Sequence, residues 1–200
     1  MPKVELHDLS SYEGRSTVLK QGIPNHHDSA IKQTPLTFVG LDFETADHGA
    51  DSACAVGLVR VESNRIINRE HYLIRPARNS FFFSPIHGIT WEHVREKPTF
   101  EELWPRIQNL LLGAEFIASH NAGFDRRVLE SCCQAAKILM PEVRFVCTMK
   151  LSRRLWNIRP SSLSNVCRYL GLRLDPHQVL SDAEACVGIV LAAHRAGSAI

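Results

Sequence analysis

"TFVGLDFETAD", residues 37–47, is an apolar run that ends in two carboxylates, Asp42 and Glu44, with only Phe43 between them. In a strand, alternate side chains share a face. Asp42 and Glu44 therefore project together at the strand's end, on the parity of Phe38, while Phe43 and Thr45 project the other way. Two carboxylates held that close repel unless a cation stands between them. Hard oxygen ligands of this kind suit Mg²⁺ or Mn²⁺. A pair of solvated charges at a strand terminus has the same spacing, so the pair alone leaves both readings open.

Two further stretches add to it. "SHNAGFDRRVL", residues 119–129, sets Asp125 at a helix start directly after a strand. "HQVLSDAEA", residues 177–185, sets His177 five positions before Asp182, which enters the final helix. Four carboxylates and one imidazole, each at the edge of a regular element, match the inventory of two-metal phosphoryl hydrolysis, in which a base activates water.

Outward from these motifs, the chain has the size and apolar content of one globular domain: 200 residues, 44% hydrophobic and 22% charged. A formal net charge of +2 names no partner. Residues 1–35 show no sustained period and carry Gly, Pro, Ser and His, the pattern of a tail or loosely packed arm. They lack the apolar stretch of a signal peptide, and no run approaches the roughly 18 apolar residues of a membrane span. Six cysteines form no C-x-x-C pair; zinc or disulfides are the alternatives to buried, reduced thiols in a soluble cytoplasmic protein.

From Leu36 the pattern predicts strands over "LTFVGLDF", "SACAVGLVRVE" and "RIINREHYLIRP", the last two joined by a hairpin turn at "ESNR". A loop, "ARNSFFFSPIHGIT", leads to a helix whose start has a capping box, Thr99 with Glu102, and whose stop is Gly113. "EFIASH" and "VRFVCT" read as strands around the helix "FDRRVLESCCQAAKIL". "SSLSNVCRYLG" reads as a helix capped by its leading serines and stopped by Gly171, and "SDAEACVGIVLAAHRAG" as a long final helix stopped by Gly197. Three meandering strands followed by alternating helices and strands predict an α/β chain with a mixed five-stranded sheet flanked by helices.

"LDFET", "HNAGFD" and "HQVLSD" resemble the three exonuclease motifs of the DEDDh family, which includes the proofreading subunit of bacterial replicative DNA polymerase. "IHGIT" before "KPTFEELW", and "CTMKLSRRL" after the fifth strand, are similar to that subunit as well. The likeness covers residues 36–197, the exonuclease domain, and leaves 1–35 and 198–200 outside it. It implies a ribonuclease-H-like fold, with Asp42, Glu44, Asp125 and Asp182 holding two Mg²⁺ or Mn²⁺ ions and His177 as general base. It also implies 3′-to-5′ hydrolysis of DNA to nucleoside 5′-monophosphates, at single-stranded or frayed 3′ ends, in proofreading or repair. Two alternatives stand beside this: an exoribonuclease of the same family, told apart by its treatment of the ribose 2′-OH, and a silent nucleic-acid-binding module associated with a polymerase. Retention of all five positions argues against the silent module.

Candidate substrate contacts are Phe43 and Thr45 at the strand end, His87 in the "IHGIT" segment, Asn121 before Asp125, and Arg153 and Arg154. Each has a plainer alternative: core packing for Phe43, a loop turn for His87, a local hydrogen bond for Asn121. Between Glu142 and Asp175 there is no acidic residue, yet Arg144, Lys150, Arg153, Arg154, Arg159, Arg168 and Arg173 are present. That one-signed stretch fits a phosphate-binding face or a solvated helical surface. Phe81, Phe82 and Phe83 include a candidate base-stacking wedge, with packing under a loop as the alternative. "QTPLTF" resembles a sliding-clamp peptide, but Phe38 within it should be packed in the sheet.

Overall fold

The computed structural model describes residues 34–200, so the arm expected over 1–35 lies, but for its last two residues, outside the described residues. Strands β1 (Phe38–Thr45), β2 (Ala53–Glu62), β3 (Arg65–Leu73), β4 (Phe116–Ser119) and β5 (Arg144–Cys147) form one sheet in the order β3-β2-β1-β4-β5. β1, β2 and β3 pair antiparallel, and β4 and β5 add parallel to β1, giving the expected mixed sheet. The turn from β2 to β3 puts Ser63 and Asn64 at positive φ, 48° and 64°, the twist that matches two-residue hairpins.

Helices α3 (Phe100–Leu111) and α4 (Ala122–Ala135) cover one face of the sheet. Val39, Leu41 and Phe43 of β1 pack there with Ile107, Val128 and Leu129. Helices α5 (Thr148–Trp156), α6 (Leu163–Leu170) and α7 (Val179–Arg195) cover the other. Phe38, Phe116 and Ala118 meet Leu151, Val166, Ala183 and Val187 on that side. Phe38 is fully buried and stacks on Phe116 with ring centroids 4.8 Å apart, which removes it as an anchor for a clamp.

Close approach of α7 depends on two glycines. A Cβ on Gly40 would stand 2.6 Å from the Ala183 carbonyl oxygen, and one on Gly57 would stand 2.1 Å from that of Val179. Gly57 is the β2 neighbour of Asp42, so the helix that carries Asp182 is drawn onto the strand that carries Asp42.

The Thr99 and Glu102 capping box forms, as does the Ser162 cap on α6. Three helices lie where the sequence predicts none. Within the long loop, α1 (Ser84–His87) and α2 (Trp91–Val94) are single turns, too short to show a period. Helix α5 follows β5 without a turn or a side-chain cap, and two of its three buried residues, Thr148 and Ser152, are polar. Its inward face mixes these polar residues with Leu151, Leu155 and Trp156 over only nine residues that directly continue a strand, which leaves a short and broken stripe for a sequence pattern to detect. All six cysteines are unpaired, and among the described residues no helix is long and apolar enough to cross a membrane.

Candidate functional site

β1 ends where α4 and α7 begin, so three elements deliver their acidic residues to the C-terminal end of the sheet's central strand. Asp125, in the first turn of α4 and 1% exposed, accepts the Phe43 main-chain N–H at 3.1 Å. That bond ties its carboxylate to the strand between Asp42 and Glu44. Asp182, in the first turn of α7 and 7% exposed, accepts the His177 main-chain N–H at 3.0 Å through Oδ2. The backbone at His177 is left-handed, φ 62°. Its Nδ1 stands 3.8 Å from Glu44 Oε1, with the imidazole about half exposed.

Electrostatics mark this cluster as incomplete by itself. Burial, and then the charges of Asp125, Asp182 and Glu44, push Asp42 well above the usual carboxylate range. Burial, then Asp182, pushes Glu44 up to about 7. Burial outweighs the His177 contacts at Asp182 and takes it to about 6, and burial likewise raises Asp125 despite its bond from Phe43. Asp47, only three residues past Glu44, behaves oppositely. Arg78 donates to both its oxygens, at 2.7 and 2.9 Å, and holds it at about 2.

Among the described residues, only two buried side-chain polar atoms lack a hydrogen-bond partner, and one is Asp182 Oδ1. An orphaned carboxylate oxygen beside three further acids is what a divalent cation would complete. Glu44, His177 and Asp182 bring ligand-type atoms within 4.8 Å of one another. Asp42 and Asp125 are outside that trio but share its field. The donor set fits a divalent metal.

The other expected residues fare unevenly. The Phe43 side chain is 3% exposed in the α3–α4 core, so its expected substrate contact is corrected: strand parity turns it away from the acids. His87 is buried, with Nε2 on the Thr45 carbonyl at 3.2 Å and Nδ1 accepting the Ile89 N–H at 3.0 Å. Both nitrogens are spent on latching the loop to the end of β1, and neither is free for a nucleotide. Thr45 is likewise buried. Asn121 is exposed, in the left-handed conformation, and its side chain makes no capping bond, so the expected local hydrogen bond is absent.

Arg154 is corrected outright. It donates to Ser198 Oγ at 3.2 Å and to the Ala199 carbonyl at 3.0 Å. These partners lie beyond the end of α7 opposite Asp182, on the order of 20 Å away at 1.5 Å per helical residue. Arg144 donates to Ile200 at that same far end. Arg153 instead reaches Ser161 Oγ at 2.6 Å. Phe81 packs with Trp91, while Phe82, 67% exposed, and Phe83 flank His48.

Sequence reasoning passed over two fasteners. Arg78 grips Asp47 and Asp51, closing the turn after β1. His120 bonds Thr148 Oγ1 and the Ser161 carbonyl, each at 2.9 Å, joining β4 to α5 and the loop beyond. The "SHN" context held the only signal for His120; nothing in the spacing points to Arg78.

This chain belongs to the exonuclease family, whose domain model matches residues 39–190. The PolC-type DNA polymerase III of Thermotoga petrophila is 34% identical over 169 residues, which is 82% of this chain and 12% of that protein. Exodeoxyribonuclease 10 of Escherichia coli is 39% identical over 105 residues, 50% of this chain and 40% of that one. The chain thus spans less than half the length of these curated relatives. The structure of exonuclease X in complex with 5′ overhanging duplex DNA superposes with a TM-score of 0.65 at 27% identity, covering 81% of this chain and 94% of that one. A DEDDh-family nuclease domain bound to rAMP gives 0.69 at 18% identity, over 82% and 94%, and speaks to the fold alone. The fold is ribonuclease-H-like, as the resemblance implied.

Proposed function

We propose that this chain is a divalent-metal-dependent 3′-to-5′ exonuclease that acts on DNA and releases nucleoside 5′-monophosphates. The observation that carries the reading is the convergence of Asp42, Glu44, Asp125 and Asp182 with His177 at the end of the central strand β1. Exodeoxyribonuclease 10 is a DNA enzyme by name and exonuclease X was solved in complex with DNA, which favours DNA over RNA.

In this mechanism the four carboxylates hold two Mg²⁺ or Mn²⁺ ions. Bound there, such ions would offset the charge of the phosphodiester and of the leaving 3′-oxygen. His177, on an exposed loop, takes the proton from the attacking water at Nε2, the ring nitrogen turned from Glu44. Water's oxygen bonds to phosphorus as the bond to the penultimate nucleotide's 3′-oxygen breaks. That oxygen takes a proton from solvent as it leaves, the terminal nucleotide departs as the 5′-monophosphate, and His177 returns its proton to solvent. Asp125, through its bond from Phe43, and Asp182, through its bond from His177, keep strand and loop in register during the step. Asn121, exposed at the residue before α4, is retained as a substrate contact. We place the enzyme in the cytoplasm, on single-stranded or frayed 3′ ends, with a polymerase subunit as its candidate partner.

The test is degradation of matched 3′-labelled and 5′-labelled DNA and RNA oligonucleotides with Mg²⁺, Mn²⁺ or EDTA. Metal-dependent release of mononucleotides from DNA 3′ ends is expected. Full activity in EDTA, or polarity from the 5′ end, would overturn the reading.

A further inference from the structure

Arginines over most of this surface are neutralised locally. Arg60, Arg69, Arg75, Arg78, Arg95 and Arg126 each meet a carboxylate. Among the described residues Arg65, Arg106, Arg127 and Arg195 meet none, but these are scattered along the chain, whereas the acid-free stretch holds its cations in one run. With Arg144 and Arg154 committed to the far end, its remaining cations are Lys150, Arg153, Arg159, Arg168 and Arg173, all exposed. Among the described residues, only Arg173 has a carboxylate near it, Asp175 at 3.6 Å, and both are solvent-facing. Arg153, Arg159 and Arg168 bond only neutral oxygens, those of Ser161, Asn157 and Asn165.

Two links along the chain tie this stretch to the acidic cluster. Ser161, which Arg153 holds, bonds His120, and His120 directly precedes Asn121 and the helix of Asp125. On the other side, α6 runs through Arg168 into the segment that carries Arg173 and His177. The exposed positive surface of α5 and α6 is thus joined through both links to the segments that carry the site. Tyr169, 61% exposed, adds an aromatic ring to that surface. Cationic surface interleaved with an aromatic is the chemistry of sequence-independent single-strand binding.

We infer that the α5–α6 face is the track for the nucleic-acid strand upstream of the scissile bond, with Lys150, Arg159 and Arg168 contacting successive backbone phosphates and Arg153 shaping the entry. This rests on the exonuclease reading for the position of the 3′ end. It adds a path to that reading, which leaves the strand's course open.

Binding of a fluorescent 12-nucleotide DNA strand, measured by anisotropy in EDTA over a salt series, tests the track whether or not the strand is cleaved. The triple variant Lys150→Gln, Arg159→Gln, Arg168→Gln should bind at least tenfold more weakly. Its log K against log salt should flatten by about 2, since each lost phosphate contact on a single strand removes about 0.7 of slope. The charge-retaining triple Lys150→Arg, Arg159→Lys, Arg168→Lys should keep the wild-type slope. A trinucleotide, too short to leave the site, should lose less than the 12-mer. An unchanged slope in the glutamine variant overturns the track and would leave the face to an acidic protein surface. Failure of the wild type to cleave any 3′ end would instead count against the exonuclease reading.

Discussion

The main-chain N–H of His177 donates to Oδ2 of Asp182 across 3.0 Å, so the candidate base and a candidate metal ligand are fixed to each other before any ion arrives. α7 begins at Val179, and the Asp182 carboxylate reaches back over its first turn to the loop. The five-residue spacing is the reach of that bond. Asp182→Asn keeps an acceptor for the His177 N–H but loses the charge. Asp182→Ala loses both. Both should lose Mn²⁺ affinity in calorimetric titration, and only Asp182→Ala should speed amide exchange across residues 175–178. Wild-type Mn²⁺ affinity in Asp182→Asn would remove Asp182 from the ligand set.

His177→Ala removes the imidazole while leaving all four carboxylates. Loss of a general base costs about 10²- to 10⁴-fold in rate. Single-turnover hydrolysis should fall by that order, with Mn²⁺ and DNA binding retained. Asp42→Ala, by contrast, should abolish hydrolysis together with metal binding. A near-wild-type rate and pH profile in His177→Ala would put the base elsewhere.

Crowded acids tie metal-free stability to pH. Glu44 is raised from 4.5 to about 7 and Asp182 from 3.8 to about 6, chiefly by burial. A carboxyl whose pKa is higher folded than unfolded binds its proton more tightly in the fold. Its stabilising contribution is complete below the unfolded value and is lost as pH rises through the folded one. In EDTA the melting temperature should therefore fall between about pH 4.5 and pH 7.5 through this cluster, and Mg²⁺ should recover most of the loss at the upper end. Glu44→Gln should shrink both effects. A metal-free melting temperature that rises across this window in wild type relative to Glu44→Gln would contradict the assignment.

Gly57→Ala should act on the site from a distance. Its Cβ would meet the Val179 carbonyl oxygen at 2.1 Å and the Leu180 nitrogen at 2.8 Å, backbone atoms that cannot swing aside. Overpacking of this kind costs about 1–3 kcal/mol, and lifting the first turn of α7 carries Asp182 away from Asp42. Denaturant unfolding and Mn²⁺ titration should both register the change. Gly123→Ala, with no heavy atom within 4 Å of the new Cβ, should be neutral or stabilising by about 1 kcal/mol or less. Equal stability of the two variants would show that α7 is not held against the sheet as described.

What the sequence determined by itself was whatever local periodicity and spacing encode. Parity put Asp42 and Glu44 on one face and Phe38 with them; caps at Thr99 and Ser162 and stops at Gly113 and Gly171 bounded helices; the meander of β1 to β3 announced a mixed sheet. What only the tertiary structure decided was where long side chains and loops end up. Arg153 and Arg154 are neighbours in sequence, yet one turns to Ser161 near the acids and the other to Ser198 at the far end, because adjacent helical positions point about 100° apart. His87 is taken out of solvent by the Thr45 carbonyl, a partner 42 positions away. Asp47 and Glu44 stand three residues apart and titrate in opposite directions, since Arg78 reaches one and burial governs the other. Helix α5 buries Thr148 beside Leu151, with its hydroxyl bonded to the Ser119 carbonyl 29 positions away. Such long-range bonds leave no period in the chain, and so they become visible only once the sheet has brought its distant parts together.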